Sequence, residues 1–453
     1  MPTKAGKAGN MRGNLSHPEL AATILLLALV ALCVRPVLAQ SPPTSQLQSW
    51  LGQATLTGDW GGVRTRLENL GVEPRAEFFT ESAANPIGGQ AQAARYTQEI
   101  DLGADLDLNR LVALPHGKVQ ITLTDDTGHS LSNDAIGNQF QVQELFVAGQ
   151  SFRLSELNYQ QSLFSDKISF EVGWAPVGDS FAHPMMFCAF QNAAFCGHAS
   201  AMTINSGAQN FPFAQWGAHL KERPAPKFYL ATGLYQVNSN EVTPVKGFNI
   251  FSGTGVFLPI ELGWLPDWSG ALPGAYKLGA YYNSSPTHDV LTDVNGRSAG
   301  LTGAPFETRA GRWGAYLIVN QTIYRFRPQS RRSLRIGGLA GMGDPETARF
   351  GYFASGGWLL QGPFSHREED FLAMAVAYAR TNPRLTQFQE DRDAVNPGSV
   401  GIQTYESIVE IDYGAWITPW LLLQPNLQYV INPGGTGNIS NAFVLGIHTD
   451  VTF

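Results

Sequence analysis

The strictest constraint in this chain is a two-residue alternation of apolar and polar side chains that recurs from about residue 70 to the last residue, Phe453. From 98 to 108, Ile100, Leu102, Ala104, Leu106 and Leu108 share one face of an extended strand. Glu99, Asp101, Asp105 and Asp107 flank Gly103 on the other. Side chains on a strand point alternately to opposite sides, so this segment has one apolar face and one face that must meet water. The pattern returns in 118–124, where Val119, Ile121 and Leu123 interleave with Lys118, Gln120, Thr122 and Thr124. It returns in 167–174, where Ile168, Phe170, Val172 and Trp174 interleave with Lys167, Ser169, Glu171 and Gly173. Around 406–413 Ile408 breaks the rhythm, yet Val409, Ile411 and Tyr413 still alternate with Glu410 and Asp412. From 443 to 453, Phe443, Leu445, Ile447, Val451 and Phe453 form one face against Gly446, His448, Asp450 and Thr452.

One amphipathic strand fits many soluble sheets, but about sixteen of them in succession fit a closed barrel with lipid outside and water inside. The expected fold is therefore all-β, a transmembrane antiparallel β-barrel of about sixteen strands. The terminal aromatic on the apolar face matches the signal read by barrel-assembly machinery. Trp174, Trp264, Trp313, Trp416 and Trp420 lie near strand ends, where interface girdles place amphipathic rings. Asn432-Pro433-Gly434-Gly435 and similar clusters read as turns between strands.

The first 39 residues have a different design. Lys4, Lys7 and Arg12 precede an apolar run from Ala21 to Leu32, and Val37-Leu38-Ala39 supplies small residues before Gln40. That layout predicts a cleaved signal peptide over 1–39, with Met11 an alternative start, and the strand pattern predicts a barrel over 71–453. Setting 1–39 aside removes four of the 30 basic residues and one of the 37 acidic ones, leaving 26 against 36. An acidic chain of this kind argues against a nucleic-acid partner. No later run approaches the ~20 apolar residues of a membrane helix.

Leu56-Thr-Gly-Asp-Trp-Gly-Gly-Val-Arg-Thr-Arg-Leu67 resembles the opening motif of the carbohydrate-selective (OprB-type) porins. Gly356-Gly-Trp-Leu-Leu-Gln-Gly-Pro-Phe364, running on to Arg367 and Asp370, and Trp420-Leu-Leu-Leu-Gln-Pro-Asn-Leu-Gln-Tyr429 are two further matches. The resemblance implies an N-terminal periplasmic segment over 40–70 with helical character, a monomer or homotrimer in the bacterial outer membrane, passive diffusion of sugars, no cofactor, and a constriction lined by charged side chains with aromatics nearby. Trp174 stands where many members carry a basic residue, which puts the family's constriction pattern in doubt at that position. The expected partners are sugars, outer-membrane lipid and lipopolysaccharide, and the assembly machinery.

A pore for sugars needs hydroxyl donors and acceptors beside flat apolar faces, and charges tune what enters. Arg75, Glu77 and Glu81 share the polar face of strand 72–81. With Glu99, Asp101 and Asp105 they form the candidate lumen patch, continued by Glu156, Asn158, Lys167 and Glu171. The basic cluster Arg325, Arg327, Arg331, Arg332 and Arg335 has three readings: an anion-attracting mouth, a lipopolysaccharide contact or a hydrated turn. It keeps open a general or anion-preferring porin as the alternative. Cys188 and Cys196 would close a small disulfide loop that folds inward and narrows the pore. The nearby His183 and His198 match no zinc spacing. No Gly-x-Ser-x-Gly, His-Glu-x-x-His or P-loop supports an enzyme, and His219 and His448 sit on polar faces as lumen lining. A barrel enzyme or adhesin remains the least supported reading.

Overall fold

A computed structural model describes residues 44–146, 151–183, 186–195, 200–208, 210–237 and 253–453. The expected signal peptide lies outside the described residues. The chain divides into a unit ending at Ser49, described only from the start of helix α1 (Thr44–Leu51), and a unit from Trp50 to Phe453 that holds the barrel.

Among the described residues, nineteen strands follow helix α2 (Val63–Leu70). They are β1 (Val72–Gly89), β2 (Ala94–Asp107), β3 (Gly117–Gly128), β4 (Ser151–Leu163), β5 (Ile168–Ala175), β6 (Gln215–Ala225), β7 (Phe228–Val237), β8 (Gly255–Trp264), β9 (Asp267–Trp268), β10 (Leu272–Asn283), β11 (Thr287–Asp293), β12 (Phe306–Arg309), β13 (Arg312–Arg325), β14 (Ser333–Gly343), β15 (Phe350–Gln361), β16 (Phe371–Thr381), β17 (Tyr405–Thr418), β18 (Leu421–Ile431) and β19 (Ser440–Thr452). β9 pairs only with the start of β10, and β11 with β12 forms a separate hairpin. The other sixteen pair antiparallel with their neighbours, and β19 returns to β1 with Glu77 opposite Thr452 and Ala84 opposite Leu445. Closure leaves no edge strand, the requirement for a sheet in lipid.

The register obeys the alternation. Leu102, Leu220, Leu262, Leu278, Leu317 and Leu445 are exposed on the outside, while Glu99, Asp101, Glu171, Glu261, Glu410 and Asp412 are buried inside. Phe228, Trp264, Trp268 and Tyr276 form an aromatic group at one rim, with ring centroids 5.0–6.4 Å from Trp264. Trp174 does not join such a girdle. It is fully buried, donates its indole N–H to the Leu154 carbonyl at 2.8 Å and packs edge-on against Trp216.

The two ends differ. At one, connections such as 164–167, 226–227, 326–332 and 419–420 are short. Helix α2 and Phe453 lie at this end: Arg64 covers the Trp60 ring at 4.8 Å and donates to the Phe453 carbonyl at 2.6 Å. Asp59 prepares that contact by accepting the Thr65 N–H at 2.8 Å at the start of α2. At the other end the connections 129–150, 176–214, 284–311 and 382–404 are long.

Two of the long connections turn into the barrel. Val177, Phe181, Met186, Phe190, Phe195 and Met202 are buried against inward residues of the opposite wall, among them Tyr281, Tyr316, Leu339, Phe353, Ala375, Ala377 and Ile408. Segment 129–146 packs with it, Glu144 N–H donating to Gln191 O at 3.0 Å and Ala193 N–H to Gln141 O at 2.9 Å. Over the same end sit the β11–β12 hairpin, helix α3 (Ala299–Thr302) and helix α4 (Pro383–Val395), which Asn382 caps by accepting the Arg384 N–H at 3.0 Å. Gly300 lets α3 touch α4, because a Cβ there would collide with the Phe388 carbonyl.

Candidate functional site: a cavity between a charged wall and an inward loop

The inward faces of β1–β5 and the inward loop enclose two adjoining cavities. The first, about 630 Å³, is lined by Arg75, Glu77, Glu99, Asp101 and Glu156 from the wall, by Asp179 and Cys188 from the loop, and by Phe79, Phe371 and Leu422. The second, about 640 Å³, shares Glu156 and Asp179 with it and adds Gln120, Gln160, Phe170, Glu171 and His219.

Arg75 organises the wall. Its Nη2 lies 3.1 Å from Asp105 Oδ1 and 3.2 Å from Glu156 Oε2, and donates to Thr122 Oγ1 at 2.9 Å. Those partners sit on β2, β4 and β3, and Arg75 reaches them because Gly103 stands opposite it and Thr122 opposite Gly103. A side chain at Gly103 would occupy the path, within 3.1 Å of Thr122 Oγ1. The glycine inside the acidic run is thus the gap through which the guanidinium crosses. Lys118 Nζ approaches Asp105 Oδ2 at 2.5 Å, and Thr122 Oγ1 also donates to Glu156. Thr124 donates to Asp101 Oδ1 at 2.5 Å.

Further round, Gln160 donates to Glu171 Oε2 at 2.8 Å and to Gln120 Oε1, with Asn158 Oδ1 a longer acceptor at 3.3 Å. His219 Nδ1 lies 3.7 Å from Glu171 Oε1 and 3.0 Å from Ser180 Oγ. This is a continuous row of amide and carboxylate groups, each able to exchange a hydrogen bond with a hydroxyl.

Eight of the ten candidate residues belong to this wall: Arg75, Glu77, Glu99, Asp101, Asp105, Glu156, Asn158 and Glu171. Glu81 faces inward but is covered, its Oε2 accepting the Leu145 N–H at 3.1 Å with His448 3.4 Å from Oε1; it holds the inward segment. Lys167 lies away from the cavities, exposed in the short β4–β5 turn, where the alternation ends before it. Cys188 is exposed to the first cavity, and Cys196 and His198 lie outside the described residues. Phe79, on the same face as Arg75 and Glu77, was within reach of periodicity; Asp179 and Phe371 come into the site only through tertiary folding.

The basic cluster separates. Arg332 covers the Phe326 ring at 4.3 Å and donates to Gly362 O, and Arg331 pairs with Glu369, all around the short 326–332 turn. Arg325 and Arg335 reach into a third cavity of about 620 Å³ that meets the first at Phe371.

The carbohydrate-selective porin (OprB) family model matches residues 91–453. The chain belongs to that family. Porin B of Pseudomonas aeruginosa is 33% identical over 416 residues, covering 88% of this chain and 91% of the relative. The putative porin QuiX of Acinetobacter baylyi is 27% identical over 432 residues, covering 90% and 94%. A high-pH structure of Pseudomonas putida OprB superposes with a TM-score of 0.85 at 31% identity, covering 89% of this chain and 99% of that one. As an OprB-family porin the protein is a channel of the bacterial outer membrane that takes sugars as its substrates. Short turns of such barrels face the periplasm, the side this rule gives the 326–332 turn. Arg331 and Arg332 are thus part of a short turn, and Arg325 and Arg335 line a cavity of the lumen.

Proposed function

We propose that mono- and small oligosaccharides diffuse passively, down their gradient, through the gap between the β1–β5 wall and the inward loop. The observation that carries this reading is the pairing, in one cavity, of a charged row led by Arg75, Asp101 and Glu156 with the rings of Phe79 and Phe371. A pyranose has hydroxyls at its rim and apolar C–H faces, and such a cavity offers partners for both. Each hydroxyl passes from one fixed group to the next, so the sugar loses little solvation and binds weakly enough to leave. We take one chain as the conducting unit, because every wall of the cavity comes from it, and we assign no enzymatic step. Outer-membrane lipid would cover the apolar band, lipopolysaccharide would surround the long-loop end, and barrel-assembly machinery would read the terminal strand. Single-channel recording in planar bilayers tests the core of this: glucose or maltose should reduce the ionic current in a concentration-dependent way, and Arg75→Ala should weaken that block about tenfold. Currents indifferent to both sugars would sink it.

A further inference from the structure

The third cavity differs from the sugar path in charge and construction. Three guanidinium groups, Arg325, Arg331 and Arg335, face one carboxylate, Glu369, and that carboxylate is taken up by Arg331. Arg325 directs Nε to Ala271 O at 2.9 Å and Nη1 to Ser330 O at 2.7 Å, neutral partners that fix its direction and leave its charge uncompensated. Arg335 makes no side-chain hydrogen bond or ion pair among the described residues. It stands opposite Thr322 and Leu359 on the inward face of β14 and is only half-buried. Gly337 is the next inward residue on β14, and the Met186 side chain of the inward loop packs over it, which closes the cavity beside Arg335 on the barrel-centre side.

The rest of the lining is not that of a bare anion trap. Asn320 and Thr322 offer an amide and a hydroxyl from β13, also without side-chain partners among the described residues. Gln361 spends its amide N–H groups on the carbonyls of Glu368, Glu369 and Asp370, which leaves its carbonyl oxygen as an acceptor. Trp416 and Phe371 supply rings. Phe371 divides this cavity from the acidic one, where Glu77, Glu99, Asp101 and Glu156 would repel an anion.

From this we infer that the cavity is a binding site for a hydroxylated monocarboxylate, a sugar acid of the aldonate or hexuronate kind, at the periplasmic side of the pore. The carboxylate sits on the planar fork of Arg335, with Arg325 behind it. Its hydroxyls meet Asn320, Thr322 and Gln361, and its C–H face lies on Trp416. Arg335 is the guanidinium of this cavity with no hydrogen-bond partner among the described residues, so its fork is open to both oxygens of a carboxylate, and repulsion from the β1–β3 wall orients that charge toward β13 and β14. The site goes beyond the neutral-sugar reading and does not depend on it.

The test uses the purified full-length channel in planar bilayers at fixed ionic strength, with gluconate, glucuronate, glucose 6-phosphate, acetate and glucose added on either side. Gluconate and glucuronate should block at lower concentration than glucose, more strongly from the periplasmic side. Arg335→Gln should raise their blocking concentration about tenfold while moving that of glucose by less than about twofold, and Arg335→Lys should fall between. Arg325→Gln, a second variant that keeps Arg335, should give a smaller loss of the same sign. Acetate blocking as well as gluconate would show a plain anion effect and overturn the site. Glucose 6-phosphate blocking better than both acids would overturn the choice of carboxylate, and equal losses for glucose and gluconate in Arg335→Gln would show a distorted pore instead. If glucose fails to block the wild-type channel while gluconate does, the neutral-sugar reading falls and this one stands; the reverse result sinks only this one.

Discussion

The two walls of the barrel use buried carboxylates in opposite ways. On β1–β4, Asp101, Asp105 and Glu156 meet other side chains (Arg75, Lys118, Thr122 and Thr124) and border open cavities. On the far wall, Glu406 and Glu410 meet main chain. Glu410 accepts the N–H groups of Gln191 and Asn192 at 2.8 and 3.1 Å, and Glu406 those of Gln139, Phe140 and Gly434. On β8, Glu261 accepts the Ala182 N–H and the hydroxyls of Tyr229 and Tyr316. Between Glu410 and the loop the wall is smooth, Ala373, Ala375, Ala377 and Ala379 presenting only methyl groups to Phe190, Phe195 and their neighbours. The loop leans on that wall because a flat apolar strip with fixed acceptors can bury both its side chains and its otherwise unpaired amides. The opposite wall stays wet because the loop has been drawn away from it. On the proposed sugar path, selectivity would then depend on residues that the sugar does not touch.

The largest break in this contrast should come from Glu410→Ala, which strands two buried N–H groups at a cost of about 2–4 kcal/mol. Detachment of the loop would appear as higher single-channel conductance together with a lower unfolding midpoint in detergent; if neither moves, the clamp does not exist. Ala375→Phe attacks the same contact from the packing side. The residue is 1% exposed, and forcing a ring beneath the loop should cost about 1–3 kcal/mol. It too should raise conductance, while the same substitution at Ala354, exposed on the lipid side of β15, should not.

Much of the charged wall was legible in the sequence, and the far wall was not, for a physical reason. Period-two alternation reports which face a residue takes, so Glu99, Asp101 and Asp105 could be assigned to the lumen from their apolar neighbours. It does not report what covers that face. Ile408, which breaks the alternation of β17, is an inward residue packed fully against the loop, and the apolar inward positions Ile318, Leu339 and Phe353 have the same cause. Such breaks were the available trace of the loop, but which segment covers them depends on contacts such as Glu410 to Gln191, far apart in the chain. Lys167 fits the alternation in sequence but stands in the turn one residue before β5 begins. Trp174 follows the pattern yet is covered by Trp216, a contact no spacing encodes.

Outside the membrane the main-chain use of carboxylates recurs at Asp289, which ties the β11–β12 hairpin to α4. Its Oδ1 accepts the Leu291 and Thr292 N–H groups, and its carboxylate pairs with Arg309 at 2.7 Å and Arg384 at 2.8 Å. Burial alone would raise its pKa, but those donors outweigh it and hold the group down at about 2. A depressed carboxylate stabilises the fold fully above its ordinary value near 3.8, and the contribution fades as pH falls from there toward 2. Asp289→Asn should cost about 1 kcal/mol, since both arginines are partly solvated, and should flatten the acid dependence of hairpin protection in hydrogen exchange. An unchanged profile between about pH 4 and pH 2 would remove Asp289 from that role.

The smallest effect on stability belongs to the wet wall. Asp101→Asn keeps an oxygen to accept the Thr124 hydroxyl and removes no amide contact to the loop, so its cost should stay under about 1 kcal/mol. What it removes is a negative charge from the cavity proposed as the sugar path. Under a salt gradient the reversal potential should therefore shift toward anion preference, with conductance little changed, whereas Glu410→Gln, whose carboxylate faces main chain, should leave the reversal potential nearly where it was. Equal shifts from the two substitutions would mean that both carboxylates are felt by the permeating ions, and the distinction between a wall that selects and a wall that positions would fail.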